Sequence, residues 1–190
     1  AGRLASTLRR RRTRDQTQTL FNGRYLRLQR RGSWEYAERT NAGSAVIIIA
    51  VTPEEKLLFV EQFRIPMNAN TIEMPAGLVG DLDANDTIEI AAKRELLEET
   101  GWQADEMKVL MIGPSSAGMS NEVIAFARAS KLTRIHAGGG DESENITVHE
   151  IPVKDAPRWL TQKIAEGYSM DPKLWAGLWL LDKNPDGSPA

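Results

Sequence analysis

Cysteine is absent from all 190 residues, which excludes disulfides and thiolate metal sites and is compatible with a reducing cytoplasm. Histidine is scarce too: His136 and His149 lack the mutual spacing of a metal pair and read as surface strand or loop residues. No apolar run approaches the ~18 residues needed to span a bilayer. The opening residues have no hydrophobic signal-peptide core. No membrane partner is therefore expected, and a cytoplasmic location is. There is no internal repeat and no low-complexity linker. What is present fits one enzyme-sized unit, since 190 residues is long for one core and short for two. With 41% apolar and 26% charged residues, the chain can bury a sizeable core and stay soluble.

Charge is unevenly spread. Residues 1–40 hold eleven Arg against three acids, a balance of +8 that leaves −10 for the remainder of a chain with net charge −2. Arg9 to Arg12 with Arg14 form a basic run, a feature that attracts nucleic acid or anionic surfaces. No aromatic residue interleaves with it, so the stacking platform of a single-strand binder is missing. A solvated arm offsetting acidic surface is the simpler reading, and nucleic acid is not an expected partner.

Alternation predicts strands at Arg24–Leu28 and Trp34–Arg39, joined by a turn at Arg31-Gly32-Ser33. Ser44–Val51 is a strongly apolar strand, and Leu57–Gln62 is expected to pair with it across Thr52-Pro53-Glu54-Glu55. Further strands are predicted at Met107–Ile112, Glu122–Ala129 and Ile146–Ile151. Helices are predicted at Lys154–Glu166 and Pro172–Asp182, the last with Leu174, Trp175, Leu178 and Leu181 on an apolar face. Strands on either side of a central helix suggest a mixed sheet between helices.

That central helix is the most informative stretch. Glu95, Glu98 and Glu99 stand at i, i+3 and i+4, so they share one helical face. Like charges so placed repel unless a cation lies among them, and a hard divalent ion such as Mg2+ prefers carboxylate oxygens. Acidic clusters are ordinarily solvated faces, but here the flanks are specific. Asp86 with Glu89 makes a D-x-x-E capping arrangement, Thr87–Thr100 has neither Gly nor Pro, and Gly101 falls at the left-handed C-cap position.

Arg94 to Trp102 resembles the second half of the Nudix box, G-x5-E-x7-R-E-U-x-E-E-x-G-U with U apolar, and every fixed position of that half is filled. The first half departs from the pattern. Counting back from Arg94 puts Gly80 and Asp86 on the G and E positions. The context Pro75-Ala76-Gly77 instead makes Gly77 the box glycine, with about three extra residues within Gly80–Asn85. The second alignment is preferred, because lengthening a polar turn is cheap. The resemblance implies an α/β fold, the Nudix α/β/α sandwich with a mixed sheet, plus a small N-terminal β subdomain used in dimerisation. Residues 1–43 are expected to form the basic arm and that subdomain, and residues 44–190 the Nudix hydrolase domain.

Two loops narrow the resemblance to the ADP-ribose pyrophosphatase and nucleoside-diphosphate-sugar hydrolase branch. Asp141-Glu142-Ser143-Glu144 is similar to the branch's acidic loop, and Ser116-Ala117-Gly118-Met119-Ser120-Asn121-Glu122 to its Ser-Pro-Gly-x-Ser-x-Glu loop, with Ala117 in place of proline. This implies Glu95 and Glu99 as primary metal ligands, Glu98 as a third or bridging ligand and the Ala76 carbonyl as a backbone ligand. Arg94 is expected to orient the box acids. Glu142 is the first candidate for the catalytic base and Glu144 the second. Trp34 is a candidate for stacking on the nucleobase, Arg64 for phosphate and Glu122 for sugar or metal. Mg2+, with Mn2+ as substitute, is favoured over Zn2+ because oxygen donors dominate. The expected activity is hydrolysis of ADP-ribose, with GDP-mannose or another nucleotide sugar as the alternative, in a homodimer. A non-catalytic ligand sensor is the remaining reading, and the intact set of acids weighs against it.

Overall fold

The computed structural model describes residues 16–83, 85–140 and 145–190. The Arg9–Arg14 run and both candidate bases, Glu142 and Glu144, lie outside these. The chain opens with β1 (Thr17–Asn22), β2 (Leu26–Arg31) and β3 (Trp34–Arg39), an antiparallel three-stranded sheet. Gly32, at φ 63°, makes the expected turn between β2 and β3. Among the described residues this sheet meets the rest at a backbone bridge, Ala37 to Ser120, flanked by the Arg39–Glu122 ion pair and a hydrogen bond from Asn121 to Glu38.

The chain then builds β4 (Ser44–Ala50), β5 (Lys56–Arg64), β6 (Ala69–Glu73), β7 (Ala76–Val79) and helix α1 (Ile88–Thr100). After these come β8 (Trp102–Pro114), β9 (Val123–Arg134), β10 (Thr147–Pro152), α2 (Ala156–Ala165), the short β11 (Ser169–Met170) and α3 (Lys173–Trp179). Two four-stranded sheets result, ordered β7-β4-β9-β8 and β10-β5-β6-β11. Each mixes directions, since β4 runs parallel to β9 and β11 to β6 while the other pairs are antiparallel. The expected mixed pairing is present, divided between two sheets.

The apolar run of β4 explains the layering. Val46, Ile48 and Ala50 face a core shared with Ala91, Ala92 and Leu96 of α1. Ile47 and Ile49 face a second core built with Phe59, Ile72, Leu160 of α2 and Leu174 of α3. A strand covered on both faces loses its polar alternation, which is why it reads as one continuous hydrophobic stretch. At ~25 cal/mol per Å2 of apolar surface removed from water, these two cores supply most of the driving force for folding.

Three local expectations need correction. β5 does not pair along β4: the turn forms, with Thr52 donating to the Lys56 carbonyl at 2.8 Å, but only Val51 and Leu57 bridge. Beyond that neck β5 takes β10 and β6 as neighbours, and β4 takes β7 and β9. In α3, Leu174 is buried and Leu178 and Leu181 pack on the core, whereas Trp175 is exposed. One residue past Leu174 is about 100° round the helix, away from that stripe. His149 is half-buried instead of superficial, paired with Glu61 at 2.9 Å and tilted against the Trp159 ring. Among the described residues no helix is long and apolar enough to cross a membrane.

Candidate active site

Helix α1 is fixed at both ends. The Thr87 hydroxyl accepts the Ile90 N–H at 3.3 Å, so Thr87 is the N-cap and the expected Asp86 cap is displaced by one residue. The cause is Arg94, which claims the Asp86 carboxylate as an ion-pair partner. At the far end Gly101 adopts φ 74° and donates to the Leu97 carbonyl at 2.8 Å, as a left-handed cap should. The same Arg94 guanidinium reaches Asp81 at 3.4 Å and Glu95 at 3.5 Å. Its planar fork holds the helix start, the preceding loop and one box acid together.

The three glutamates meet β7 differently. A Cβ added to Gly77 would lie 2.0 Å from the Glu95 carboxyl carbon, so only glycine lets that carboxylate cross the strand. Nothing comparable surrounds Gly80, whose nearest neighbour would be 3.9 Å away and whose φ of 84° serves a turn. Gly77 is therefore the glycine that the glutamate helix requires, and the longer loop follows it. Glu99 is only 4% exposed and accepts the Ala76 N–H at 3.0 Å, while Glu98 is exposed.

Glu95, Glu98 and Glu99 line a cavity of about 420 Å3 together with Arg39, Gln62, Arg64, Ala76 and Asp81. Burial pushes the Glu95 carboxyl up to about 7; Glu98 and Asp81 add to the rise and Arg94 opposes it. A carboxylate so disfavoured in its charged form is one that a cation would restore. The donor set is all oxygen, as Mg2+ requires. Among the described residues no three acidic or imidazole groups converge tightly enough to enclose an ion unaided.

Of the candidate substrate contacts, the structure brings Arg64 to this cavity, held by Glu73 through two bonds of 2.9 and 2.5 Å. Trp34 and Glu122 lie elsewhere. Trp34 is exposed and lines a second cavity of about 480 Å3 with Arg31, Tyr36, Asn121 and Glu122. Burial works to raise the Glu122 carboxyl, but hydrogen bonds with Arg39 and Ser115 leave it below its ordinary value. The Arg39–Glu122 ion pair links the two cavities, because Arg39 lines the first and Glu122 the second. Arg39, Gln62 and Asp81 were not singled out from the sequence. Asp81 had a signal, its place in the lengthened loop, and Gln62 had one in the Glu61-Gln62-Phe63-Arg64 segment, which resembles the ADP-ribose pyrophosphatase branch; Arg39 had none.

A glutamate helix folded over a strand glycine, inside this layered fold, defines a class. Residues 42–171 match the NUDIX domain, and the chain belongs to that family, whose members generally require a divalent metal ion. Within it, the chain falls in the branch of ADP-ribose and nucleoside-diphosphate-sugar pyrophosphatases. It is 34% identical over 113 residues to an ADP-ribose pyrophosphatase of Bacillus subtilis (strain 168), covering 59% of this chain and 60% of that one. Identity is 32% over 161 residues to a GDP-mannose pyrophosphatase of Enterobacter sp. (strain 638), covering 80% and 79% respectively. A methanol dehydrogenase activator of Bacillus methanolicus is 32% identical over 154 residues, 77% of this chain and 82% of the relative. The crystal structure of an ADP compounds hydrolase shares the fold, with TM-score 0.60 and 18% identity over 80% of this chain and 92% of its own.

Proposed function

We propose that this chain hydrolyses the diphosphate bond of ADP-ribose, or of a closely related nucleoside diphosphate sugar, to a nucleoside monophosphate and a sugar phosphate. The observation that carries the reading is the Glu95, Glu98 and Glu99 face of α1, seated against Gly77 in a cavity that also presents Arg39 and Arg64. Glu95 and Glu99, with Glu98 and the Ala76 carbonyl, would hold Mg2+, or Mn2+ in its place. When bound, the cation lowers the pKa of water and neutralises charge on the phosphate oxygens.

The protein's own groups do the rest. Arg94 keeps Glu95 over the strand, anchored in turn by Asp86 and Asp81. Arg64 and Arg39 offer positive charge to an anionic substrate at the cavity wall. Glu142, or failing it Glu144, removes a proton from the attacking water, because the helix acids are committed to the cation. The water oxygen bonds to one phosphorus as that phosphorus leaves the bridging oxygen, and the bridge departs with the other phosphate. Trp34 stacks on the nucleobase and Glu122 contacts the sugar.

The same reading divides the chain into a basic arm and β subdomain, residues 1–43, and a catalytic domain, residues 44–190, assembled as a homodimer. In support, Phe21 and Leu28 are register neighbours on β1 and β2, and both are exposed within one protomer.

GDP-mannose is the second reading. The GDP-mannose pyrophosphatase is matched over 80% of this chain against 59% for the ADP-ribose enzyme, and the lengthened loop puts Asp81 and Leu82 on the cavity wall. Incubation with a panel of nucleotide sugars and Mg2+, with chromatography of the products, decides between them. Release of AMP and ribose 5-phosphate from ADP-ribose supports the first reading, and preferential cleavage of GDP-mannose the second. No turnover of any diphosphate with Mg2+ or Mn2+ contradicts both.

A further inference from the structure

An α-helix ends with four carbonyls that lack partners in the helix. At the C-terminus of α1 a segment from outside the helix supplies partners for two of them and for the cap residue Gly101. The Glu98 carbonyl accepts the Gly140 N–H at 3.1 Å and the Glu99 carbonyl accepts the Gly139 N–H at 2.8 Å. The Gly101 carbonyl accepts from Ile135 at 2.8 Å and His136 at 3.2 Å. Residues 135–140 therefore lie as a strap across the turn that carries two of the three cavity glutamates. The approach is close: a Cβ on Gly138 would stand 2.4 Å from the Thr100 carbonyl carbon and 2.7 Å from the Glu99 oxygen. Gly138, Gly139 and Gly140 all have positive φ, at 77°, 118° and 80°. The Gly139 carbonyl also accepts the Ile146 N–H at 3.3 Å.

Three glycines carry no side chains with which to hold themselves, and their ordering opposes the largest backbone entropy of any residue. The grip comes from Arg134. Its Nε pairs with the His136 carbonyl at 2.5 Å, and one terminal nitrogen donates to the Ala137 carbonyl at 3.3 Å. The other terminal nitrogen pairs with Glu150, and the guanidinium lies 5.3 Å over the Trp102 ring. Trp102 Nε1 donates to the same Glu150 oxygen at 3.3 Å, and Lys56 approaches the second oxygen at 3.5 Å. An exposed ion pair alone is worth little. Here the guanidinium spends its donors on two strap carbonyls in a fixed fork, which an ammonium has no means to copy.

We propose that Arg134 is a positioning residue for the cation-holding turn: by clamping the 136–140 strap onto the end of α1, it fixes the backbone from which the Glu98 and Glu99 carboxylates enter the cavity. It lines no part of that cavity among the described residues. The inference rests on the reading of Glu98 and Glu99 as cation-holding groups. Loss of a group that orients metal ligands typically weakens binding or activity by ~10–100-fold.

The test uses the full chain as wild type, Arg134→Gln, Arg134→Lys and Glu150→Gln. Mn2+ affinity is measured without substrate from the EPR signal of free Mn2+, and kcat and KM for ADP-ribose or the better nucleotide sugar at limiting and saturating Mn2+. Arg134→Gln is expected to weaken Mn2+ binding ~10-fold and lower kcat at limiting Mn2+, with KM changed by less than about twofold. Arg134→Lys is expected not to rescue, and Glu150→Gln to shift Mn2+ affinity in the same direction by less. Wild-type Mn2+ affinity and kcat in Arg134→Gln overturn the inference, whatever its melting temperature. If that variant does not fold, unchanged Mn2+ affinity in Glu150→Gln overturns it. A wild-type protein that binds no Mn2+ sinks the proposed function as well, whereas wild-type binding with unchanged variants sinks the inference alone.

Discussion

Alanine at Gly77 is the smallest change that the account treats as catastrophic for activity. Its Cβ would lie 2.0 Å from the Glu95 carboxyl carbon, 2.1 Å from Cγ and 2.3 Å from an oxygen. Ordinary carbon contacts begin near ~3.5 Å, so the Glu95 side chain must retreat by about 1.5 Å. The backbone at position 77 has no positive φ to forbid alanine. The strain therefore falls on the Glu95 rotamer, at roughly 1 kcal/mol. In a chain of this size that lowers Tm by only ~2–4 °C. Catalysis is less forgiving, since misplacing a group by ~1 Å costs on the order of 10²-fold. Gly77→Ala is thus expected to lower kcat/KM at least ~100-fold while the protein stays folded at 25 °C. The assay is nucleotide-sugar hydrolysis with Mg2+ beside a thermal melt. Activity within about threefold of wild type would refute the seating of Glu95 over that strand as a requirement of the reaction.

Three further outcomes follow from the same site. Glu142→Gln is expected to lower kcat by ~10²–10⁴ with KM nearly unchanged, and a fall of that size in Glu144→Gln instead would move the base by two residues. Glu95 also sets a pH dependence. Its folded pKa of about 7 exceeds the ordinary 4.5, so the cation-free protein loses stability as pH rises from about 4.5 through 7. Cation binding needs the ionised form, so calorimetric Mn2+ affinity should strengthen as pH rises through about 7, and a pH-independent affinity would contradict this. Trp34→Ala is expected to raise KM ~5–150-fold, by loss of ~1–3 kcal/mol of base stacking, with little change in kcat. An unchanged KM would remove the second cavity from substrate recognition.

The sequence showed the helix most clearly, because its chemistry is local: Glu95, Glu98 and Glu99 reach one face through helical spacing alone, and Gly101 marks the end. Gly77 was legible for a related reason, as a small residue in a turn-forming context beside that helix. Pairing was harder to see. β4 and β5 are both apolar on two faces, so periodicity gave no sidedness, and the short Thr52–Glu55 link suggested a hairpin that opens after one bridge. The cap was misplaced by one residue because Asp86 and Thr87 are both competent caps, and only the fold shows Arg94 holding Asp86. Arg39 was invisible, since nothing local tells that the end of β3 meets a cavity formed by α1 and β7. The strap carried no local sign of its role, because its docking on Glu98 and Glu99 depends on contacts about forty positions apart.

The most direct test of the central claim is a single charge removed from the glutamate face. Glu99→Gln keeps the shape of a side chain that is 4% exposed and an oxygen to accept the Ala76 N–H. The variant is assayed beside wild type for release of nucleoside monophosphate from the preferred nucleotide sugar at saturating Mg2+. A loss of ~10²-fold or more in kcat is expected, with the fold intact. Cleavage at the wild-type rate would contradict it and place the reaction away from this helix.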